Sequence, residues 1–143
     1  MSRYNKRLQG HVETLNGSPV DAAGWYGMDL DRNAGTAVGR RVAELPLRND
    51  GRYQDLRSVA LALSGDRLLL FAGELKPFSR KPRLYAVGQW PIGSVSITPI
   101  ERGAGRLVGI HLNLPDDAPL ELNCGDSIAA DAVLSVLARS PSG

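Results

Sequence analysis

A mainly β domain of short antiparallel strands, closed by one terminal helix, is the fold class that this sequence predicts, and three stretches predict it. In "SVALALSGDRLLLFAG" (58–73) two apolar runs flank Gly65-Asp66, the pattern of a tight hairpin. In "RLVGIHLNLPDDAPLELNC" (106–124) apolar residues recur with period two on both sides of a proline-rich reversal. At the end the period lengthens, with Ala130, Val133, Leu134 and Leu137 at the spacing of one helical face. Connections between most strands are shorter than the dozen residues a parallel crossover needs, so the strands run antiparallel.

The elements follow in order. Up to residue 57 the pattern is weak, and residues 1–57 are expected to form an extension or covering segment before a domain at 58–140. Asn16-Gly17 suggests a short hairpin over Val12 to Val20. "TAVGRRVAEL" (36–45) sets Val38, Val42 and Leu45 on one side of a short helix that Pro46 stops. Arg40 and Arg41 then read as the wet side of that helix, or as a basic ridge for a partner. Val59, Leu61 and Leu63 alternate against smaller residues, as in a strand with one buried face.

"RLLLFAG" (67–73) and "RLYAVGQW" (83–90) are the next strands, the second with Leu84, Tyr85 and Val87 falling on both faces and Pro91 marking an edge or a bulge. "SVSITPI" alternates through Val95 and Ile97, and Gly103 with Gly105 turns the chain into a run where Val108, Ile110, Leu112 and Leu114 share a face. Matching buried faces with Leu120, Leu122 and Cys124 requires even residues to oppose even ones, which turns Cys124 inward and His111 outward. A helix over Ser127 to Ser140, capped by Asp126 or Ser127 and broadened by Ile128 and Val136, must lie on the mouth or open edge of these strands.

Composition bounds the function. The chain has 143 residues, 43% apolar and 22% charged, a globular balance sufficient for one domain with one core. Seventeen basic and fifteen acidic side chains leave a net charge of +2, which disfavours nucleic acid as a partner. Cys124 is the single cysteine, which excludes an internal disulfide and a multi-cysteine zinc site and fits a reducing, cytoplasmic compartment. No apolar run reaches signal-peptide or membrane-span length, so any membrane contact would be peripheral, at the inner surface.

The runs "ALSGDRLLLF", "KPRLYAVGQWPIGSVSI" and "RLVGIHLNLPDDAPLELNC", followed by the apolar helix, resemble the bacterial pleckstrin-homology-like domains over about Val59 to Ala138. Ser64-Gly65-Asp66-Arg67-Leu68 resembles the family's T-x-x-R-L element, with serine where threonine is frequent. In "LPDDAPLEL" an Asp-Asp-Ala-Pro turn replaces the family's glycine-centred one, and Trp90 in "WPIGSV" stands where a strand starts and the barrel is covered. The resemblance implies a partly open antiparallel barrel or sandwich with a C-terminal capping helix, whose first strand must come from the N-terminal third or be absent. It also implies a binding or assembly role, since many eukaryotic relatives hold phosphoinositide headgroups through basic hairpin residues while bacterial members look like interaction modules.

Lys76, Arg80, Lys81 and Arg83 in "KPFSRKPR" form the densest positive feature, with Phe78 at its crest and Arg67 expected nearby. Four cations near an anionic leaflet supply about 4 kcal/mol, which alone is about millimolar binding. A solvated loop, an acidic protein partner and anionic phospholipid are therefore all readings of this stretch. Trp25, Tyr26 and Met28 in "GWYGMDLD" extend the core or, exposed together, anchor a partner. Asp29 and Asp31 beside them would complement a basic surface, including the 76–83 stretch of a second copy.

Catalysis finds little footing. His111 and Cys124 fall on opposite faces, His11 and His111 are too few and too separated for a metal centre, and Asp116-Asp117 reads as a turn before it reads as a cation site. No nucleophile elbow, phosphate loop or dinucleotide fingerprint occurs. The expectation is a non-enzymatic binding or assembly domain without cofactor or metal, recognising a protein partner or a second copy of itself, with anionic phospholipid as the alternative and an enzyme of unidentified class as the weakest reading.

Overall fold

The computed structural model describes residues 3–47, 56–74, 83–103 and 106–123, together with 133, 136 and 137. Its frame is one antiparallel sheet of seven strands, in the order β4-β3-β2-β1-β7-β6-β5. The strands are β1 (Ala22–Asp29), β2 (Leu56–Ser64), β3 (Arg67–Glu74), β4 (Arg83–Pro91), β5 (Ser96–Arg102), β6 (Arg106–Asn113) and β7 (Leu120–Asn123). With β4 and β5 at its two edges, the sheet does not close on itself.

The N-terminal third is where expectation and structure part. Helix α1 (Arg3–Asn16) replaces the hairpin expected over Val12 to Val20. Leu8 and Val12, four residues apart, place their side chains on the same helical face and are both buried. Gly17, at φ +72, follows the last helical residue, so the Asn16-Gly17 pair ends a helix instead of turning a hairpin. β1 then runs along β2 from Ala22 opposite Leu63 to Asp29 opposite Leu56. The division expected at 57/58 is therefore no boundary in the sheet: β2 begins at Leu56 and β1 lies at the sheet's centre.

Both faces of β1, β2 and β3 are buried over most of their length. Val59, Leu61 and Leu63 enter the main core with Tyr26, Met28, Leu68 and Leu70. Ala60 and Ala62 point the other way, into a second cluster with Leu8, Val12, Val20, Ala23, Leu69 and Phe71. The single wet face expected of residues 58–64 is thus a helix-packing face, and the expected single core is two clusters on opposite sides of the sheet. Small side chains on β1 and β2 let α1 approach, and Gln9 secures it by donating to the Val20 carbonyl.

The later strands follow the sequence pattern closely. Even residues of β6 and β7 oppose each other, Ile110 with Leu122 and Leu112 with Leu120, and all four are buried. The unclear alternation of β4 has a cause: the register shifts between Leu70 and Phe71, which face Gly88 and Ala86, leaving Val87 as an extra, bulged residue. A matching shift opposite Ile100 and Glu101 leaves Val108 bulged and half-buried. Val133, Val136 and Leu137 are helical; Val133 and Leu137 join the main core, while Val136 is 41% exposed. Ala130, Leu134 and Cys124 lie outside the described residues.

Helix α2 (Ala37–Ala43) confirms the helix expected near 36–45, with Val38 and Val42 buried. Its free N–H groups are all taken. Asp117, from the β6–β7 turn, accepts from Ala37 and Val38 at 2.8 and 3.3 Å, and the Thr36 hydroxyl accepts from Gly39 at 2.8 Å. Gly39 tolerates no side chain, since a Cβ there would stand 2.1 Å from the Asn33 carbonyl oxygen.

The two halves of the sheet meet at β1 and β7, where the described register is one pair, Gly27 opposite Asn123. Asn33, 0% exposed, extends that seam with its side chain. Its amide donates to the Glu121 carbonyl at 2.9 Å and to the Asp29 carbonyl at 2.8 Å, and its oxygen accepts the Glu121 N–H at 2.7 Å. A side chain here makes the reciprocal pair of bonds that a neighbouring strand residue would make. Outside it, Arg32 pairs with the Glu121 carboxylate at 3.3 Å. Replacing Asn33 with alanine takes the partner from the Glu121 N–H and carbonyl, while the Asp29 carbonyl keeps the Asn33 N–H at 3.2 Å, so Asn33→Ala is expected to cost about 2–4 kcal/mol in chemical denaturation. A loss below about 1 kcal/mol would show that the seam does not depend on this amide.

Candidate partner-binding surface

β3 ends at Glu74 and β4 begins opposite it at Arg83, which is exposed. Lys76, Phe78, Arg80 and Lys81, in the connection between those two strands, lie outside the described residues. Arg67 does not stand near them. It opposes Pro91 at the far end of the strand pair, and eight residues of β4 separate that end from Arg83, a strand length of about 26 Å. The expected grouping of Arg67 with the basic stretch is corrected accordingly: the two belong to opposite ends of one hairpin.

The "GWYGMD" segment is β1, and alternation splits its large side chains between the two faces. Tyr26, 4% exposed, and Met28 enter the main core. Tyr26 is therefore withdrawn from the surface on which a partner patch would need it. Trp25 faces the opposite way, half-buried against the second cluster together with Leu84. Between these two lies Gly73. A Cβ on Gly73 would stand 2.7 Å from Leu84 Cδ2, 3.3 Å from Trp25 Cη2 and 2.6 Å from the Arg83 carbonyl oxygen. Trp25 and the root of the basic stretch, far apart in sequence, thus converge at the start of β4, with Gly73 as the floor.

Of the two acids expected to complement a basic surface, Asp29 has its carboxylate engaged locally. Asp29 accepts backbone N–H bonds from Asp31 and Arg32 at 2.9 and 3.3 Å. Asp117 caps α2 and also accepts the Ala118 N–H at 2.9 Å, while Asp116 takes φ 58 in the same turn. Among the described residues no three His, Cys, Asp or Glu side chains come together. His111 is half-buried between Thr98 and Glu121 in the register, and His11 lies on α1, so the two histidines stand on separate elements.

On α2, Arg40 is exposed, and Arg41 reaches β4, donating through Nη1 to the Val87 carbonyl at the bulge. Sequence reasoning named the side of the helix these arginines occupy but not the strand beside them. Two elements escaped it. The spacing of Leu8, Val12 and Leu15 before a glycine was a usable sign of α1. Asn33 left no sign, because its partners are distant backbone groups.

Comparison with family models, with curated proteins and with solved structures found no match.

Gly73 is the sharpest test of this geometry. In a Trp90→Phe background, Gly73→Ala is expected to lower stability by about 1–3 kcal/mol and to shift Trp25 emission to the red as the ring is pushed outward. Unchanged emission and stability would mean that the indole does not rest on this glycine.

Proposed function

We propose that the chain is a non-catalytic binding or assembly domain of the pleckstrin-homology-like kind, and that it recognises a protein partner at the start of β4. The family part of this reading is supported by the open seven-stranded antiparallel sheet and by the helical Val133 and Leu137 in its main core. The observation that carries the site is the convergence of half-buried Trp25, Leu84 and the Arg83 backbone carbonyl around Gly73, at the root of the cationic stretch. A half-buried tryptophan at the root of a cationic stretch is a combination that anchors protein interfaces. Lys76, Phe78, Arg80 and Lys81 belong to this proposal through their sequence alone.

Anionic phospholipid is the competing ligand, since it would draw on the same cations at the inner face of a membrane. No described helix is long and apolar enough to cross a membrane. Capture of partners from a lysate of the source cells, alongside vesicle flotation, separates the two. The proposal expects a protein retained by the native chain and lost with Trp25→Ala or Arg83→Glu, both shown to be folded by circular dichroism, with no flotation on phosphatidylserine vesicles. Flotation at low salt that Arg80→Glu/Lys81→Glu abolishes and Trp25→Ala leaves intact would replace the protein partner by lipid.

A further inference from the structure

Topology brings two arginine-bearing elements to one end of the sheet. β1 ends at Asp29 opposite the first residue of β2, and β3 ends at Glu74 opposite the first residue of β4. α2 lies in the connection between β1 and β2, and it contacts β4. Arg41 fixes that approach through the Val87 carbonyl, which the bulge in β4 leaves outside the paired register. Four strand residues separate Val87 from Arg83, about 13 Å. Arg40, Arg41 and Arg83 are exposed, and none has a carboxylate partner among the described residues. The acids belonging to these elements are Glu44, exposed at the end of α2, and Glu74, opposite Arg83 in the register.

We infer that Arg40 and Arg41 of α2 and Arg83 of β4 form one docking face for an acidic protein segment. This rests on the proposed protein-binding role and names the partner's chemistry. Guanidinium forks grip carboxylates with two parallel hydrogen bonds, which rewards fixed acidic side chains. Strand addition is blocked, because a bulge and the Arg41 side chain interrupt the free edge of β4. Side chains therefore carry the recognition. An extended segment with acids four residues apart spans about 13 Å and presents both on one face, matching the interval from Arg83 to the site of Arg41.

Fluorescence anisotropy at low salt tests this on the full chain. The probe is a labelled ten-residue peptide with glutamate pairs four residues apart, against its glutamine counterpart. The glutamate peptide is expected to bind and the glutamine peptide not. Arg40→Glu should weaken binding about tenfold, and Arg67→Glu, at the far end of the hairpin, by no more than about twofold. Thermal melts establish that each variant is folded. Equal losses with Arg40→Glu and Arg67→Glu would overturn the inference, since only net charge would then be felt. Loss with Arg83→Glu alone removes α2 from the face and leaves the proposed surface standing, whereas indifference to Arg40→Glu and Arg83→Glu removes both. Binding to phosphatidylserine vesicles without binding to the peptide would also overturn it.

Discussion

Everything in this fold turns on how the two halves of its sheet are joined. Four strands pair through long ladders on one side and three on the other, but between them the described register is one residue pair, Gly27 with Asn123. A seam that thin would leave backbone groups of β7 without partners. Asn33 supplies them, acting from the loop after β1 as a fragment of an eighth strand, while its own backbone carbonyl accepts the Thr36 N–H and hydroxyl at 3.0 and 2.8 Å. Buried and fully bonded, the amide fixes register as an apolar contact could not, because hydrogen bonds are directional.

The seam also sets the candidate surface. Asn33 positions Thr36, Thr36 and Asp117 hold the first turn of α2, and α2 delivers Arg41 to the bulge in β4. On the other face, α1 covers β1 and β2 and leaves Trp25 at the border of the second cluster, next to Leu84. The surface at the start of β4 is thus framed from both sides of the sheet by two helices of the N-terminal third.

Legibility in the sequence followed the range of the forces involved. The hairpin at Gly65-Asp66 and the even-with-even register of β6 and β7 were readable, because period-two burial is written in neighbouring residues. So was α2, whose Val38, Val42 and Pro46 state its face and its end. Burial of Ala60 and Ala62 was not readable, since alanine reads as neutral until a helix is known to lie on it. The separation of Arg67 from Arg83 needed the strand lengths, not just the turn between them. Of the candidate site, Trp25 and Arg83 could be named as residues, but the approach of the Trp25 ring and the Arg83 carbonyl to Gly73 required the register of four strands.

Amide hydrogen exchange at Glu121 tests the seam most directly. Bonded to the Asn33 oxygen inside the protein, this N–H is predicted to exchange as slowly as amides of the central strand β2, such as that of Leu61. Exchange as fast as that of Asp116, in the neighbouring exposed turn, would contradict the account, because the two halves of the sheet would then not be held together by this side chain.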